Sequence, residues 1–313
     1  MWGAIFEVIT APITSPRFFT IYIGDVFTSM VKVFQDIAWT FGFVVSRDFL
    51  IPEDELNEKT MHAWQHSVWY ANVLIPLVCL FPLWLRFNQC LRRYLDTGIR
   101  GPNLLNAFKY AMSQTVTLFG AFHPLYLMYS TGDATARGLY KLFWTMLFVA
   151  SSLYSFTWDV IMDWGVGRPE YGFLGPRLMF PRRSYYYGVI AADVVLRFMW
   201  VLTLIPPQSG ASFEIPQYLT AATMSLELFR RTIWGFFRLE NEHRNNTGHY
   251  RRVNFVPLHF NTGHKHKYHD VEKHVGWTVL VEVAIVSVIV IVVSISSVIA
   301  AQRATHSLLQ PEL

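Results

Sequence analysis

Apolar residues in this chain gather into long runs separated by polar loops, and seven such runs can be placed near 18–45, 66–87, 104–130, 138–161, 185–207, 217–238 and 277–300. Each is about 20 residues or longer, which is what a helix rising ~1.5 Å per residue needs to cross ~30 Å of hydrocarbon. The Val/Ile-rich run at 277–300 has a strand-like composition, but its length predicts a spanning helix. Residues 1–16 are apolar and broken by Pro12 and Pro16, with no basic segment ahead of them; they read as a short interfacial segment and not as a cleavable signal. The pattern predicts an all-α, polytopic transmembrane helical bundle: a short segment at 1–16, a six-helix core over 17–250, a His-rich linker at 251–276, and one additional C-terminal transmembrane helix with a short tail at 277–313.

Composition agrees, because 313 residues that are 52% hydrophobic and 15% charged are too apolar for an ordinary soluble domain. Cys79 and Cys90 supply neither a disulfide framework nor the spacing of a zinc site. The net charge of +4 would suit a nucleic-acid partner, yet the basic residues are arranged for a bilayer. With the N-terminus inside, sixteen Lys and Arg fall in inner loops or at inner rims, five outside and five within spans. This orientation puts the loop 239–276 in the cytosol, and the acidic loop 46–65 and the tail after Arg303 outside.

The ionisable residues at membrane depth are the informative ones, because each is costly there unless it faces protein, water or a partner. Asp25, Lys32 and Asp36 share one face of the first span with Thr28 and Ser29; Lys109, Ser113 and Thr117 share one in the third, flanked by Tyr110 and Gln114. Ser151, Ser152, Ser155 and Asp159 line the fourth; Asp193, Arg197 and Trp200 the fifth; Glu227, Arg230, Arg231 and Trp234 the sixth. The second span has no ionisable residue between His66 and Arg86 and is expected at the periphery. Each polar stripe could be a self-neutralising pair at helical spacing that merely holds helices together. Five stripes with ten charges favour a shared polar path instead. Net charge does not choose between anion, cation and proton; three Arg among the five buried cations tilt the reading towards an oxyanion, whose geometry matches the guanidinium fork. Arg197, Arg230, Arg231 and Lys109 are expected to converge on one anion site.

Two stretches carry a resemblance: Trp158-Asp159-Val160-Ile161-Met162-Asp163-Trp164-Gly165 followed by Arg182-Arg183-Ser184-Tyr185-Tyr186-Tyr187, and the run from Leu228 through Arg230-Arg231-Thr232-Ile233-Trp234-Gly235 to His243. With Leu85 to Tyr94 and Asn106-Ala107-Phe108-Lys109-Tyr110, they resemble the EXS domain of the eukaryotic phosphate exporters over roughly 17–250. The resemblance implies a channel-like path moving inorganic phosphate from cytosol to lumen or exterior. It implies phosphate-site positions at Asp25, Lys109, Tyr110, Asp159, Arg197, Glu227, Arg230 and Arg231, and an outer aromatic gate at Trp200. Thr28 stands where relatives often have Asn. Full-length relatives begin with a cytosolic SPX domain that senses inositol pyrophosphates and carry further N-terminal spans. This sequence starts just before the core, which reads as a minimal member or an incomplete gene product, so regulation through an SPX domain is not expected. The span 277–300 has no counterpart in the resemblance.

His259, His264, His266, His269 and His274 read as a solvated linker, and the sequon at Asn245 would be cytosolic and unused. No Walker loop, nucleophile elbow or H-E-x-x-H pair occurs, so no enzyme, cofactor or metal is expected. The expected partners are inorganic phosphate and the lipid bilayer, without nucleic acid, in a Golgi or plasma membrane, with room for a homodimer. The competing readings are a non-transporting Golgi factor that helps retain glycosylation enzymes, and a membrane enzyme acting on a phosphorylated lipid.

Overall fold

A computed structural model describes residues 2–11, 13–47, 63–67, 69–129, 134–199, 217–245 and 276–309. The described residues are helical, and their one β feature is an isolated bridge between Arg168 and Leu174. A short α1 (Trp2–Ile9) buries Val8 and packs on α2 (Phe18–Thr28). Then come α3 (Val31–Ser46), α4 (Ile75–Thr97), α5 (Arg100–Tyr129), α6 (Ala134–Trp158), α7 (Arg183–Arg197), α8 (Gln217–Asn245) and α9 (Trp277–Leu309). Two of the described helices are long and apolar enough to cross a bilayer by composition alone, Thr145–Asp163 and Trp277–Ser296. Among the rest, α2, α3 and α7 are only 11, 16 and 15 residues long.

Three features depart from the expected pattern. The first run is not one helix: the chain breaks at Ser29 and Met30, so α2 and α3 are separate. The break separates Asp25, which is buried, from Lys32 and Asp36, which pair with each other on a largely exposed surface and leave the expected stripe. Next, α6 ends in a π-helical turn over Asp159–Asp163, an extra-residue turn of the kind found at functional sites, and another π turn at Tyr70–Leu74 precedes α4.

The third departure is that α4 is central and not peripheral. Its C-terminal half buries Leu85, Arg86, Phe87, Gln89, Cys90, Leu91 and Tyr94. The expectation failed because the apolar run stops at residue 87, whereas the helix continues ten residues further with polar groups turned inward. Gly98 ends it in the left-handed conformation (φ 65°), its amide donating to the Tyr94 carbonyl at 2.8 Å, so that α5 starts two residues later and packs antiparallel.

Two apolar clusters fix the bundle. Val160, Trp164, Val166, Leu174, Tyr186, Trp234 and Phe237 join the end of α6, the loop after it, α7 and α8. That loop is held to α8 by Glu240, which accepts from the Tyr186 hydroxyl at 2.6 Å and the Met179 amide at 2.8 Å. The other cluster, Phe87, Cys90, Leu91, Ala107 and Tyr110, is covered by Val283, Val286 and Val290 of α9. Glu282 of α9 pairs with Arg100 and accepts from the Tyr94 hydroxyl at 2.5 Å, so the start of α9 lies beside the α4–α5 turn.

Candidate functional site

The polar interior is built from α2, α4, α5, the π turn after α6, α7 and α8. On one side, Asp25 Oδ1 accepts from Arg86 Nε at 2.8 Å and from the Tyr110 hydroxyl at 2.5 Å. Arg86 Nη1 also donates to Gln89 Oε1 at 2.5 Å, and Gln89 reaches the Thr20 carbonyl at 3.1 Å. Arg86 is 3% exposed and Asp25 5%, so this is a desolvated pair that only close hydrogen bonding makes tolerable. Gly24 lets α2 come this near: a Cβ there would sit 2.6 Å from Arg86 Cδ.

On the other side, α6, α7 and α8 bring three carboxylates to two guanidinium groups. Arg197 pairs with Asp159 and lies 3.3 Å from Asp193 one helical turn back. Arg230 donates from Nη1 to Asp193 Oδ1 at 2.9 Å, and from Nη2 and Nε to Glu227 at 2.6 and 2.7 Å. Arg197 and Arg230 are therefore each already satisfied by protein carboxylates.

Two cations are not. Arg231 donates from Nε to Ser29 Oγ at 2.7 Å and from Nη2 to Thr28 Oγ1 at 3.2 Å, and its guanidinium stacks 4.6 Å from the Trp234 ring. Lys109 Nζ lies 4.6 Å from the Tyr110 ring centroid and 5.2 Å from that of Trp158. Among the described residues, neither has a carboxylate within 4.0 Å. Ser29 Oγ in turn donates a hydrogen bond to Glu227 Oε1 at 2.6 Å, so the helix break joins the two networks. With the Arg238–Asp163 pair included, six cations (Arg86, Lys109, Arg197, Arg230, Arg231, Arg238) face five carboxylates (Asp25, Asp159, Asp163, Asp193, Glu227) among the described residues of this interior, an excess of one positive charge.

A cavity of about 540 Å³ runs from the α4–α5 turn, at Thr97 and Ile99, in to Asp25 and Arg86; Arg93, Asn106, Asp163 and Arg238 also border it. Arg238 lies 3.7 Å from Asp163, which also accepts from the Trp234 indole at 3.2 Å.

All eight expected site positions other than the gate fall in this interior, but not as one cluster. Arg197 and Arg230 share Asp159 and Asp193, whereas Arg231 reaches Ser29 and Thr28 and Lys109 lies against the Tyr110 and Trp158 rings; among the described residues no single carboxylate lies within 4.0 Å of all four cations. Asp159, on the turn after α6, and Asp193, on α7, supply counter-charge to both Arg197 and Arg230. Trp200 and the histidines at 259–274 lie outside the described residues. Arg86, Gln89, Asp163 and Arg238 were missed. Arg86 sits at the last turn of an apolar run and by pattern alone reads as an inner-rim cation; Gln89 at i+3 is the signal that the polar face continues.

The EXS family profile matches residues 1–244. Solute carrier family 53 member 1 of Mus pahari is 33% identical over 266 residues, covering 81% of this chain, and the human protein of that name is 32% identical over 269. The Xenotropic and polytropic retrovirus receptor 1 homolog of Danio rerio is 34% identical over 258 residues. The chain spans 36% of the length of these relatives.

Proposed function

Because the chain belongs to the EXS family, we propose that it is a multi-pass membrane transporter, with the six-plus-one arrangement of spans, that passes inorganic phosphate through the interior just described. The observation that carries this reading is the pair Lys109, which is buried, and Arg231, which is half-buried: neither has a carboxylate within 4.0 Å among the described residues. A cation away from water with no carboxylate in contact is expensive, and an oxyanion entering between the two supplies the close counter-charge that Asp25 gives only from further off. Arg86 and Arg230, held in place by Asp25 and by Asp193 with Glu227, present further donors at fixed angles without having to reorganise.

The names of the relatives, solute carriers among them, and the resemblance to phosphate exporters support transport over catalysis. The basic ends of α4, α5 and α8 lie together with the mouth of the 540 Å³ cavity, which the positive-inside arrangement assigns to the cytosol. In this proposal phosphate enters there, is held by Lys109 and Arg231 near the α2–α3 break, and leaves past Trp200. The test is phosphate release from loaded proteoliposomes containing the purified chain. Release above that of protein-free vesicles is expected; release equal to theirs would overturn the reading.

A further inference from the structure

Resting on that phosphate-path reading, we infer that Asp25 selects the oxyanion by its proton: its free carboxylate oxygen accepts a hydrogen bond from the hydroxyl that phosphate keeps at neutral pH and sulfate lacks. The geometry behind this is an unequal use of the two oxygens. Oδ1 takes the hydrogen bonds from Arg86 and Tyr110, whereas Oδ2 accepts none among the described residues. Asp25 nonetheless borders the 540 Å³ cavity, at its inner end.

A bare carboxylate oxygen bordering an anion path is a poor feature for an anion site unless the anion brings a donor. The surrounding charge supplies the attraction: Arg86, Lys109 and Arg231 all act on Asp25 electrostatically. The carboxylate then supplies the discrimination. A P–O–H group pointing at Oδ2 makes a charge-assisted hydrogen bond, and a tetrahedral anion without a proton places a lone pair there instead, leaving two negative oxygens face to face. A site built to hydrogen-bond a ligand hydroxyl rejects analogues lacking it far more strongly than shape alone allows. Losing one charged hydrogen bond corresponds to roughly ten- to a hundredfold in affinity.

The experiment is competition against phosphate flux in proteoliposomes of the full chain by arsenate, sulfate and monofluorophosphate. The last has the shape and charge of hydrogen phosphate with fluorine in place of the hydroxyl. Arsenate should compete like phosphate, and both sulfate and monofluorophosphate should be weaker by about tenfold or more. In Asp25→Asn the gap between phosphate and monofluorophosphate should close to within a few-fold, whatever happens to the absolute flux. Equal competition by monofluorophosphate and phosphate in the parent chain overturns the inference, as does an unchanged gap in Asp25→Asn. If that variant does not reach the membrane, the competition series in the parent decides alone. Absence of phosphate flux in the parent would instead reject the transport reading itself.

Discussion

Buried side chains of like type carry different loads here, and their neighbours decide which. Arg86 is desolvated and tied to Asp25, Gln89 and Tyr110, so truncating it strands a buried carboxylate. Arg86→Met is expected to destabilise the detergent-solubilised protein by about 3–5 kcal/mol, the range for breaking one side of a buried pair. Lys32, about half exposed and paired with Asp36 one turn away, should cost less than ~1 kcal/mol when changed to Met. Denaturant unfolding followed by tryptophan fluorescence compares them; equal losses would mean that Arg86 is not held as described. Residues such as Asp159, Arg197, Glu227 and Arg230 were legible in the sequence because a charge inside an apolar run has to find a partner. Arg86 was not, since apolarity ends at its turn while the helix does not. The division of the cations into satisfied and unsatisfied was also hidden, because it depends on contacts between helices more than thirty residues apart, such as Arg197 with Asp159.

Helices α2 and α3 show what a tertiary contact can impose on a segment whose own pattern argues otherwise. Residues 18–45 read as one continuous span, with nothing at Ser29 and Met30 that would stop a helix locally. The break exists where Ser29 accepts from Arg231 and donates to Glu227, with Thr28 accepting from the same guanidinium. Irregular backbone at membrane depth is tolerated where protein surrounds it, and a discontinuous helix is a common way of presenting polar groups to a substrate. The π turn at Asp159–Asp163 was equally invisible, because one extra residue in a turn leaves no mark in an apolar pattern. Close approach of α2 to α4 rests on Gly24, where a methyl would also come 2.9 Å from Gln89 Oε1. Gly24→Ala should therefore destabilise by roughly 1–3 kcal/mol through overpacking, and it should reduce phosphate flux through displacement of Arg86. A fully stable and active Gly24→Ala protein would show that the two helices have slack at this point.

For the molecule as a whole, the hydrophobic pattern gave the class correctly, an all-helical bundle, while the number of spans and their sidedness remain the proposal made above. Sidedness is checked by single-cysteine labelling with an impermeant reagent in oriented membranes, in a background lacking Cys79 and Cys90. Glu55→Cys should react from the exterior and Thr262→Cys should be protected until the membrane is permeabilised; the reverse pattern would invert the path. α9 lies beyond the matched stretch 1–244, yet it packs on the Phe87 cluster and ties Glu282 to the α4–α5 turn, so it closes the same bundle. The central claim is that the cations this bundle leaves without a carboxylate are completed by phosphate. The most direct measurement is phosphate flux from proteoliposomes for the parent, Lys109→Ala, Arg231→Ala and Arg231→Lys at equal protein content. Apparent phosphate affinity should fall roughly ten- to a hundredfold in each Ala variant, with Arg231→Lys between parent and Arg231→Ala because an ammonium keeps the charge and loses the fork. Parent-like affinity in all three variants would contradict the account and leave the buried charges as structural pairs.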